Sequence, residues 1–381
     1  MSEKLRLLSE ALKHEAHSLG FVLTGIAAAA EPKRIESFHH WLANGYAGQM
    51  QYLEKRKEAY SHPSYVLDGC RTILMLALPY SATSPNAGPH QGRVARYAAH
   101  DDYHDVIHEK LRALKEWIVN QEPGAFVRGI VDTAPLLERE FAEAAGLGWI
   151  GKNTLLLNRE WGSYFFLAAL LTDIELPVDA PLQKGHCGTC TACLDACPTQ
   201  AFPEPHVLDA SKCISYLTIE HRENIPDRLA ERLSGWAFGC DICQEVCPWN
   251  RKIPEHSLTP EIAPQTNYHL DILTTLEISD DEFRQHYRKT PLWRSKRRGI
   301  VRNALLLAGE QRLETAVPRI LQLLTDEEPL LRAAASWSLS RIKPSGWRQN
   351  VKASLELEED GETKLAMQSA LAHTPAPHSE Q

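Results

Sequence analysis

Four closely spaced cysteines within residues 186–202 constrain this chain more than any other feature. In the segment HCGTCTACLDACPTQAF they are Cys187, Cys190, Cys193 and Cys197, spaced C-x2-C-x2-C-x3-C and followed by a proline. Structural zinc sites usually combine two CxxC pairs separated by a loop. The present arc is instead typical of bacterial two-cluster ferredoxins, in which the fourth cysteine binds the other cluster. The segment therefore predicts iron–sulfur ligation rather than zinc.

A second, incomplete copy of the motif supplies further ligands. The segment CDICQEVCPWN keeps the register of the last three cysteines, but Ala237 stands where a full copy would begin. Cys213 is the one unassigned cysteine nearby, and we predict that it fills the missing position. The crossover of the fourth cysteine then defines two ligand sets. One [4Fe–4S] cluster is predicted to bind Cys187, Cys190, Cys193 and Cys247, and the other Cys197, Cys213, Cys240 and Cys243.

The distribution of cysteine and charge narrows the class of protein. Eight of the nine cysteines lie between Cys187 and Cys247 in a chain of 381 residues, which favours thiolate ligation in a reducing compartment over disulfides. The N-terminal residues lack the pattern of a secretory signal, and the apolar runs are too short for a bilayer. We therefore predict a cytoplasmic protein without a membrane association. The net charge of -8 excludes nucleic-acid binding driven by overall charge.

Hydrophobic patterns predict an α+β protein with three domains. Residues 1–180 alternate strand-like and helical segments, which predicts an N-terminal α/β domain. Residues 181–255 form the ferredoxin-like module. Residues 256–381 are helical, and the segments VRNALLLAG, LRAAASWSL and TKLAMQSAL recur there at offsets of 30 and 32 residues. This recurrence predicts stacked helical repeats of the HEAT type.

Several polar residues of the first segment are candidates for chemistry. Asp132, in VDTAPLLER, follows a strand-like run, where a carboxylate either acts in catalysis or caps the next helix. Lys152 and Asn153 are flanked by glycine in GLGWIGKNT and form either part of a site or a surface turn. His104, at a predicted helix start, is interpreted as a polar partner rather than a ligand. Spacing alone leaves the alternatives for Asp132 and Lys152 open.

A basic, aromatic stretch lies in the helical segment. Residues 283–303, FRQHYRKTPLWRSKRRGIVRN, contain no acidic residue and interleave arginine and lysine with Tyr287 and Trp293. Such a patch can contact the phosphates of a nucleic acid. A solvated helix face has the same composition, so this alternative also stays open.

Seven segments, in chain order, resemble the epoxyqueuosine reductase family: YAAHDDYH, VDTAPLLER, GLGWIGKNT, CGTCTACLDACPTQAF, DASKCISYLTIEHR, FGCDICQEVCPWN and TPLWRSKRRGIVRNALLLAG. The resemblance covers roughly residues 5–310. It implies an oxidoreductase that uses cobalamin and two [4Fe–4S] clusters to reduce epoxyqueuosine to queuosine at the wobble position of tRNA, the last step of queuosine synthesis. It also implies a fold similar to that of reductive dehalogenases.

The resemblance carries over to individual residues. Asp132 matches the family's proposed proton donor. Positions that match or adjoin its corrin contacts are Arg56, Tyr97, Asp132, Lys152, Asn153, Ser163, Ser215 and Asp241. Cobalamin is implied to bind base-off without a histidine ligand, and the sequence contains no D-x-H-x-x-G motif.

The resemblance also implies partners. The substrates would be the GUN-anticodon tRNAs for aspartate, asparagine, histidine and tyrosine, and an external donor would supply the electrons. The enzyme would be a monomer. The candidate tRNA contacts are Arg222, Arg284, Arg294, Lys296, Arg297, Arg298 and Arg302.

Two other functions would explain part of the sequence. A cytoplasmic reductive dehalogenase would share the cofactors but has no need of a basic stretch or helical repeats. A ferredoxin-like electron carrier would need no cobalamin, and Asp132 would only cap a helix. A radical SAM enzyme is excluded because the triplet C-x3-C-x2-C does not occur.

Overall fold

The computed structural model describes residues 3–80, 86–182, 185–252 and 268–372. The strands are β1 (Leu23–Ala28), β2 (Thr72–Pro79), β3 (Gln91–Val94), β4 (Val127–Ile130), β5 (Trp149–Ile150), β6 (Leu156–Leu157), β7 (Phe165–Thr172), β8 (Trp236–Phe238) and β9 (His269–Asp271). The helices of the first half are α1 (Glu3–Ser18), α2 (Ile35–Ala43), α3 (Gln51–Lys55), α4 (Tyr103–Gln121), α5 (Glu138–Ala144) and α6 (Ala192–Asp195). The later helices are α7 (Ile214–Ile219), α8 (Asp227–Ala230), α9 (Ile242–Glu245), α10 (Ile272–Glu277), α11 (Asp280–Tyr287), α12 (Lys296–Glu310), α13 (Val317–Leu323), α14 (Pro329–Ile342), α15 (Trp347–Leu357) and α16 (Gly361–Ala372).

The described residues gather into two compact units. The first comprises residues 1–84, 100–213 and 241–265, and the second residues 85–99, 214–240 and 266–381. Within the described ranges, no helix combines the length and the apolar character needed to cross a membrane. The three-domain division predicted from the sequence stays a prediction, since its boundary after residue 255 lies outside the described residues.

A four-stranded sheet organises the first unit, in the order β1-β2-β7-β4. Every residue of β2 is buried, as its continuous apolar sequence predicts for a central strand. All three pairings are antiparallel. The predicted mixture of helix and sheet is confirmed, but the sheet is of the α+β kind rather than the parallel α/β kind.

Two helices pack on the sheet and place the loops that follow its strands. Alternate residues of β2, Ile73, Met75 and Ala77, share a core with Phe141 and Ala142 of α5. Gly129 of β4 faces α4, where an added Cβ would lie 2.8 Å from Cβ of Leu111. The end of β4 is therefore fixed between two helices, and the segment that carries Asp132 begins there.

The second unit combines a small sheet with a series of packed helices. β3 pairs in parallel with β8 and antiparallel with β9. Helix α12 packs on α14, and α14 packs on α16. Most residues of α12 and α14 are buried. The predicted helical segment is thus observed, whereas its assignment to the HEAT type remains a proposal.

Candidate functional site

Four cysteines from two segments line one cavity of the first unit. Cys187, Cys190 and Cys193 come from the loop before α6 and from α6 itself, while Cys247 follows α9. The cavity measures about 210 Å³. Burial, followed by the neighbouring sulfur atoms of Cys247 and Cys187, raises the pKa of Cys193 to about 11. The four sulfur atoms therefore line one cavity. If all four are thiolates, their negative charges require a positively charged group in that cavity.

A lone metal ion fits this arrangement less well than a cluster. Among the described residues, no three histidine, cysteine, aspartate or glutamate side chains converge closely enough to hold one ion. A cubane cluster instead keeps its thiolate ligands apart around its own volume, and soft thiolates are the ligands that iron–sulfur clusters select. The cavity lined by four sulfurs therefore suits a cluster.

The turn between β5 and β6 ties both cysteine segments together. Lys152 Nζ donates to the carbonyl oxygens of Gly188 (2.7 Å) and Cys190 (2.9 Å). Asn153 is buried, and its Nδ2 donates to the carbonyl oxygen of Cys243 at 3.4 Å. A Cβ added to Gly151 would lie 2.8 Å from Asn153 Oδ1, so the glycine gives this amide its space. The turn is thus part of the site and not a free surface turn.

The other four cysteines divide between the two units. Cys197, Cys213 and Cys243 belong to the first unit and Cys240 to the second. The Ala201 N–H donates to Cys197 Sγ at 3.3 Å.

Ser163 lies just before β7 and connects the sheet to the second cysteine segment. Its Oγ accepts hydrogen bonds from Gln244 Nε2 and Asn250 Nδ2, both at 3.0 Å. Its N–H donates to Asn250 Oδ1 at 2.8 Å. Gln244 and Asn250 flank Cys247 in sequence, so this buried network fixes the segment that carries the fourth ligand.

Asp132 stands at the mouth of a second cavity, two residues after β4. Its carboxylate accepts hydrogen bonds from Tyr103 OH and from His104 Nε2, the latter at 2.9 Å. The Tyr103 ring stacks on Phe166 with centroids 4.1 Å apart. The cavity measures about 240 Å³, and its wall is mainly apolar, formed by Val131, Leu155, Leu156, Phe165, Phe166 and Leu167. Its polar lining consists of Tyr103, Asp132, Glu138, Arg139 and Ser163.

The hydrogen bonds of Asp132 decide between its two predicted roles. Helix α5 begins at Glu138 with Leu137 at the N-cap position, so Asp132 does not cap it. The capping aspartate in this region is Asp102, which accepts the N–H of His104 at the start of α4. The helix-cap interpretation of Asp132 is therefore wrong.

A histidine held between two carboxylates dominates the electrostatics at Asp132. His104 Nδ1 bonds Asp102 Oδ1 at 2.6 Å, while Nε2 bonds Asp132. Desolvation opposes the charge, but the hydrogen bonds to Asp102 and Asp132 outweigh it and raise the pKa of His104 to about 10. Desolvation, followed by the charge of Asp132, raises the pKa of nearby Glu138 to about 8. The site thus holds one stable imidazolium and one carboxyl that favours its proton.

The remaining candidate corrin contacts are distributed over both units. Arg56 Nη1 donates to the carbonyl oxygen of Thr133, one residue after Asp132, at 3.2 Å. Asp241 is buried at the start of α9 in the first unit. Tyr97 and Ser215 belong to the second unit, where the Tyr97 ring contacts Phe238. The first unit therefore brings Asp132, Ser163 and Arg56 to the neighbourhood of one cavity.

The basic stretch of the second unit is partly exposed and partly structural. Arg284, Arg294 and Lys296 are exposed, and the Lys296 ammonium lies 4.7 Å from the ring centroid of Trp293. Arg294 also pairs with Glu220 at 2.7 Å.

Three further arginines of the set use their guanidinium groups inside the unit. Arg222 donates to the carbonyl oxygens of Ser295 and Arg294. Arg297 donates to the carbonyl oxygen of Ile278, and Arg298 lies 3.7 Å from Glu328.

Arg302 is a correction to the predicted tRNA contacts. It is 1% exposed, and it donates to the carbonyl oxygens of Leu217, His221 and Glu223. Burial, followed by the charges of Arg222 and Arg298, lowers the pKa of Arg302 to about 9, which keeps it charged at neutral pH. Its guanidinium therefore joins parts of the second unit and does not face an RNA.

The sequence interpretation of His104 as a polar partner is confirmed by its bonds to Asp102 and Asp132. Sequence reasoning noted Tyr103 in the polar segment RYAAHDDYHDVIHEKL but gave it no role, and it did not select Glu138 of VDTAPLLER. Tyr103, His104 and Glu138 are 29, 28 and 6 positions from Asp132 and share no helix or strand with it, so no local period connects them to it.

Comparison with known proteins agrees with these sites. A family profile described as "4Fe-4S double cluster binding domain" matches residues 186–250, which include all eight clustered cysteines and confirm iron–sulfur binding. A second profile, described as "Epoxyqueuosine reductase QueG, DUF1730", matches residues 61–133.

Curated relatives carry the same name. The epoxyqueuosine reductase of Cellulophaga algicola is 41% identical over 304 residues, which are 77% of this chain and 96% of the relative. That of Pseudomonas aeruginosa is 39% identical over 88% of this chain and 94% of the relative. That of Escherichia coli is 35% identical over 90% and 92%, respectively.

Solved structures extend the match to nearly the whole chain. A crystal structure of epoxyqueuosine reductase with an epoxyqueuosine-modified tRNA-Tyr stem loop is 30% identical, with a TM-score of 0.90 over 96% of this chain and 98% of that one. A structure of the Bacillus subtilis enzyme, described with its catalytic aspartate loop swung out of the active site, has a TM-score of 0.89 at 30% identity. By sequence and by structure, this chain belongs to the epoxyqueuosine reductase family of oxidoreductases.

Proposed function

We propose that this chain reduces epoxyqueuosine to queuosine in tRNA. The observation that carries the proposal is the carboxylate of Asp132, held by Tyr103 and by a charged His104 at an open, mainly apolar cavity. Removing the epoxide oxygen as water consumes two electrons and two protons and leaves a carbon–carbon double bond. A site for this reaction therefore needs a supply of single electrons and a proton donor.

The eight cysteines are proposed as ligands of two [4Fe–4S] clusters in the crossover arrangement. The cavity lined by Cys187, Cys190, Cys193 and Cys247 supports the first ligand set. The second set, Cys197, Cys213, Cys240 and Cys243, rests on the register of the motif. Bound in this way, the clusters supply electrons one at a time.

Cobalamin is proposed as the group that receives those electrons. The apolar wall around Asp132 and Ser163 suits one face of a corrin ring, and at about 240 Å³ the cavity accommodates only part of such a cofactor. When bound, cobalamin would supply a redox-active cobalt centre that can collect electrons singly and make two of them available for the reduction. The proposal includes two features that follow from the family resemblance. One is base-off binding of cobalamin, and the other is its contact with Arg56, Tyr97, Lys152, Asn153, Ser215 and Asp241.

The residues around Asp132 are proposed to move the protons. With a pKa of about 10, His104 keeps a proton at neutral pH, and Asp102 orients its ring. Asp132 lies between this stored proton and the cavity, so a proton from His104 can pass to Asp132 and from there to the departing oxygen. The loss of charge on His104 is unfavourable between two carboxylates, which favours its rapid return to the charged state.

A tRNA is the proposed substrate carrier. Exposed Arg284, Arg294 and Lys296 offer phosphate contacts, and Trp293 offers an aromatic surface beside them. The tRNA stem loop in the relative's crystal structure supports this role. The proposal also includes the GUN-anticodon tRNAs as substrates and an external electron donor. It further includes a monomeric state, a cytoplasmic location and HEAT-type repeats.

A cellular assay tests the function. The chain is expressed in bacteria that lack their own epoxyqueuosine reductase, and the nucleosides of their tRNA are analysed by mass spectrometry. We expect queuosine to replace epoxyqueuosine, and a Cys193→Ser variant to lose this conversion. Persistent epoxyqueuosine with a stably expressed wild-type chain would contradict the proposal.

A further inference from the structure

The loop that carries Asp132 adopts a conformation that its own sequence does not favour. Asp132 has a φ of 41°, in the left-handed region that residues with a side chain rarely adopt. The following residues, Thr133 to Leu137, belong to no helix or strand. Contacts from outside the loop must therefore hold Asp132 in the orientation that presents its carboxylate to Tyr103 and His104.

One such contact comes from Glu138, at the first position of α5. Its Oε1 accepts the backbone N–H of Asp132 at 2.8 Å. The helix behind it is anchored, because Phe141 and Ala142 are buried in the core under β2 and β7. On the other side, Arg56 donates to the carbonyl oxygen of Thr133. The carboxyl of Glu138 thus links the loop at Asp132 to an anchored helix.

We infer that Glu138 is a positioning residue, which holds the Asp132 loop against the cavity through the backbone N–H of Asp132. The effect of Glu138 on catalysis rests on the proposed function. The hydrogen bond between Glu138 and the Asp132 N–H forms without substrate or cofactor. Without this acceptor, the loop loses the contact that compensates for the strained φ, and Asp132 leaves the reach of Tyr103 and His104 more often.

The chemistry of Glu138 indicates which substitution preserves its role. Desolvation and the Asp132 charge raise its pKa to about 8, and the charges of Arg139 and His104 oppose that rise. The carboxyl is therefore largely protonated at neutral pH and accepts the N–H without a full charge. Glutamine keeps this oxygen and the side-chain length, so Glu138→Gln should retain the contact, whereas Glu138→Ala removes it.

Helix α5 offers a matched control. Glu143 lies on the same helix and accepts the backbone N–H of Ile150 at 2.9 Å, away from Asp132. Glu143→Ala therefore removes a similar hydrogen bond, together with an ion pair to Arg34, without touching the loop. If Glu138→Ala does not fold, Glu138→Asp provides the same test, because its shortened side chain withdraws the acceptor while keeping the carboxyl.

Hydrogen–deuterium exchange of the full-length holoenzyme, read by mass spectrometry, tests the contact without substrate. We expect peptides covering residues 131–137 to exchange about tenfold faster in Glu138→Ala, as the loss of one such hydrogen bond predicts. The wild type, Glu138→Gln and Glu143→Ala should exchange alike. Unchanged exchange in Glu138→Ala, or equal acceleration in Glu143→Ala, would overturn the inference.

Kinetics on epoxyqueuosine tRNA then connect the contact to turnover. We expect Glu138→Ala to lower kcat about tenfold with KM for tRNA within twofold, and Glu138→Gln to restore kcat to within threefold of wild type. An equal loss in Glu138→Gln would overturn the role as a neutral acceptor. If the wild type itself does not turn over, the proposed function fails, and the exchange data still decide the positioning role.

Discussion

Replacing Arg302 with methionine tests whether this residue joins the second unit together or binds RNA. Its guanidinium donates to the carbonyl oxygens of Leu217 (2.6 Å), His221 (2.8 Å) and Glu223 (3.2 Å). Methionine keeps most of the apolar stem but provides no donor. Each buried carbonyl left without a partner costs about 1–3 kcal/mol. Because water can reach the carbonyl of the exposed Glu223, we expect a total destabilisation of about 3–5 kcal/mol.

Thermal unfolding and tRNA binding together measure the effect. For a unit of this size, a destabilisation of about 3–5 kcal/mol lowers Tm by roughly 6–20 °C, which far-ultraviolet circular dichroism detects. Arg298→Met is the matched control, because Arg298 makes only a solvent-accessible ion pair with Glu328 and should cost less than about 1 kcal/mol. Below its Tm, Arg302→Met should keep the wild-type salt dependence of tRNA affinity. An unchanged Tm with a flattened salt dependence would refute the structural role.

Three further predictions concern the catalytic residues and the first cluster. Asp132→Asn should lower turnover about 10²–10⁴-fold with both clusters and cobalamin retained, as loss of a proton donor predicts, and retained activity in a quenched-flow assay would contradict that role. His104 has a pKa of about 10 against an ordinary 6.5, so its contribution to stability should be complete below pH 6.5, decline steadily above it and be lost near pH 10, whereas activity should fall only near pH 10; activity that already declines around pH 6.5 would exclude the imidazolium. Lys152→Met removes a positive charge beside the first cluster and should lower its midpoint potential by roughly 40–90 mV in an EPR-monitored titration, whereas an unshifted potential would exclude this electrostatic role.

Local sequence patterns predicted the alternation of strands and helices in residues 1–180, which the structure shows, and the iron–sulfur segment, which the double-cluster profile matches. The cysteines were found because cluster ligands from one segment must follow a short, fixed spacing. Strand order was not predictable in this way, because pairing of β2 with β7 joins residues about a hundred positions apart through contacts that no local pattern records.

At Asp132, too, local sequence patterns predicted the position of the residue but not its tertiary contacts. Its position after a strand was readable from the sequence, but its partners Tyr103 and His104 come from the start of another helix. Arg302 shows the opposite error. The basic run suggested a surface, yet α12 is buried around most of its circumference, and composition does not reveal which arginine of such a helix points inward.

An anaerobic single-turnover assay tests the central claim most directly. Cluster-reconstituted protein, cobalamin and a strong reductant are mixed with tRNA bearing epoxyqueuosine, and the nucleosides are then analysed by mass. We predict a product lighter by one oxygen atom that forms only when cobalamin is present, and that does not form with Asp132→Asn. Absence of conversion by wild-type protein whose clusters and cobalamin are confirmed by absorbance would contradict the assigned reaction.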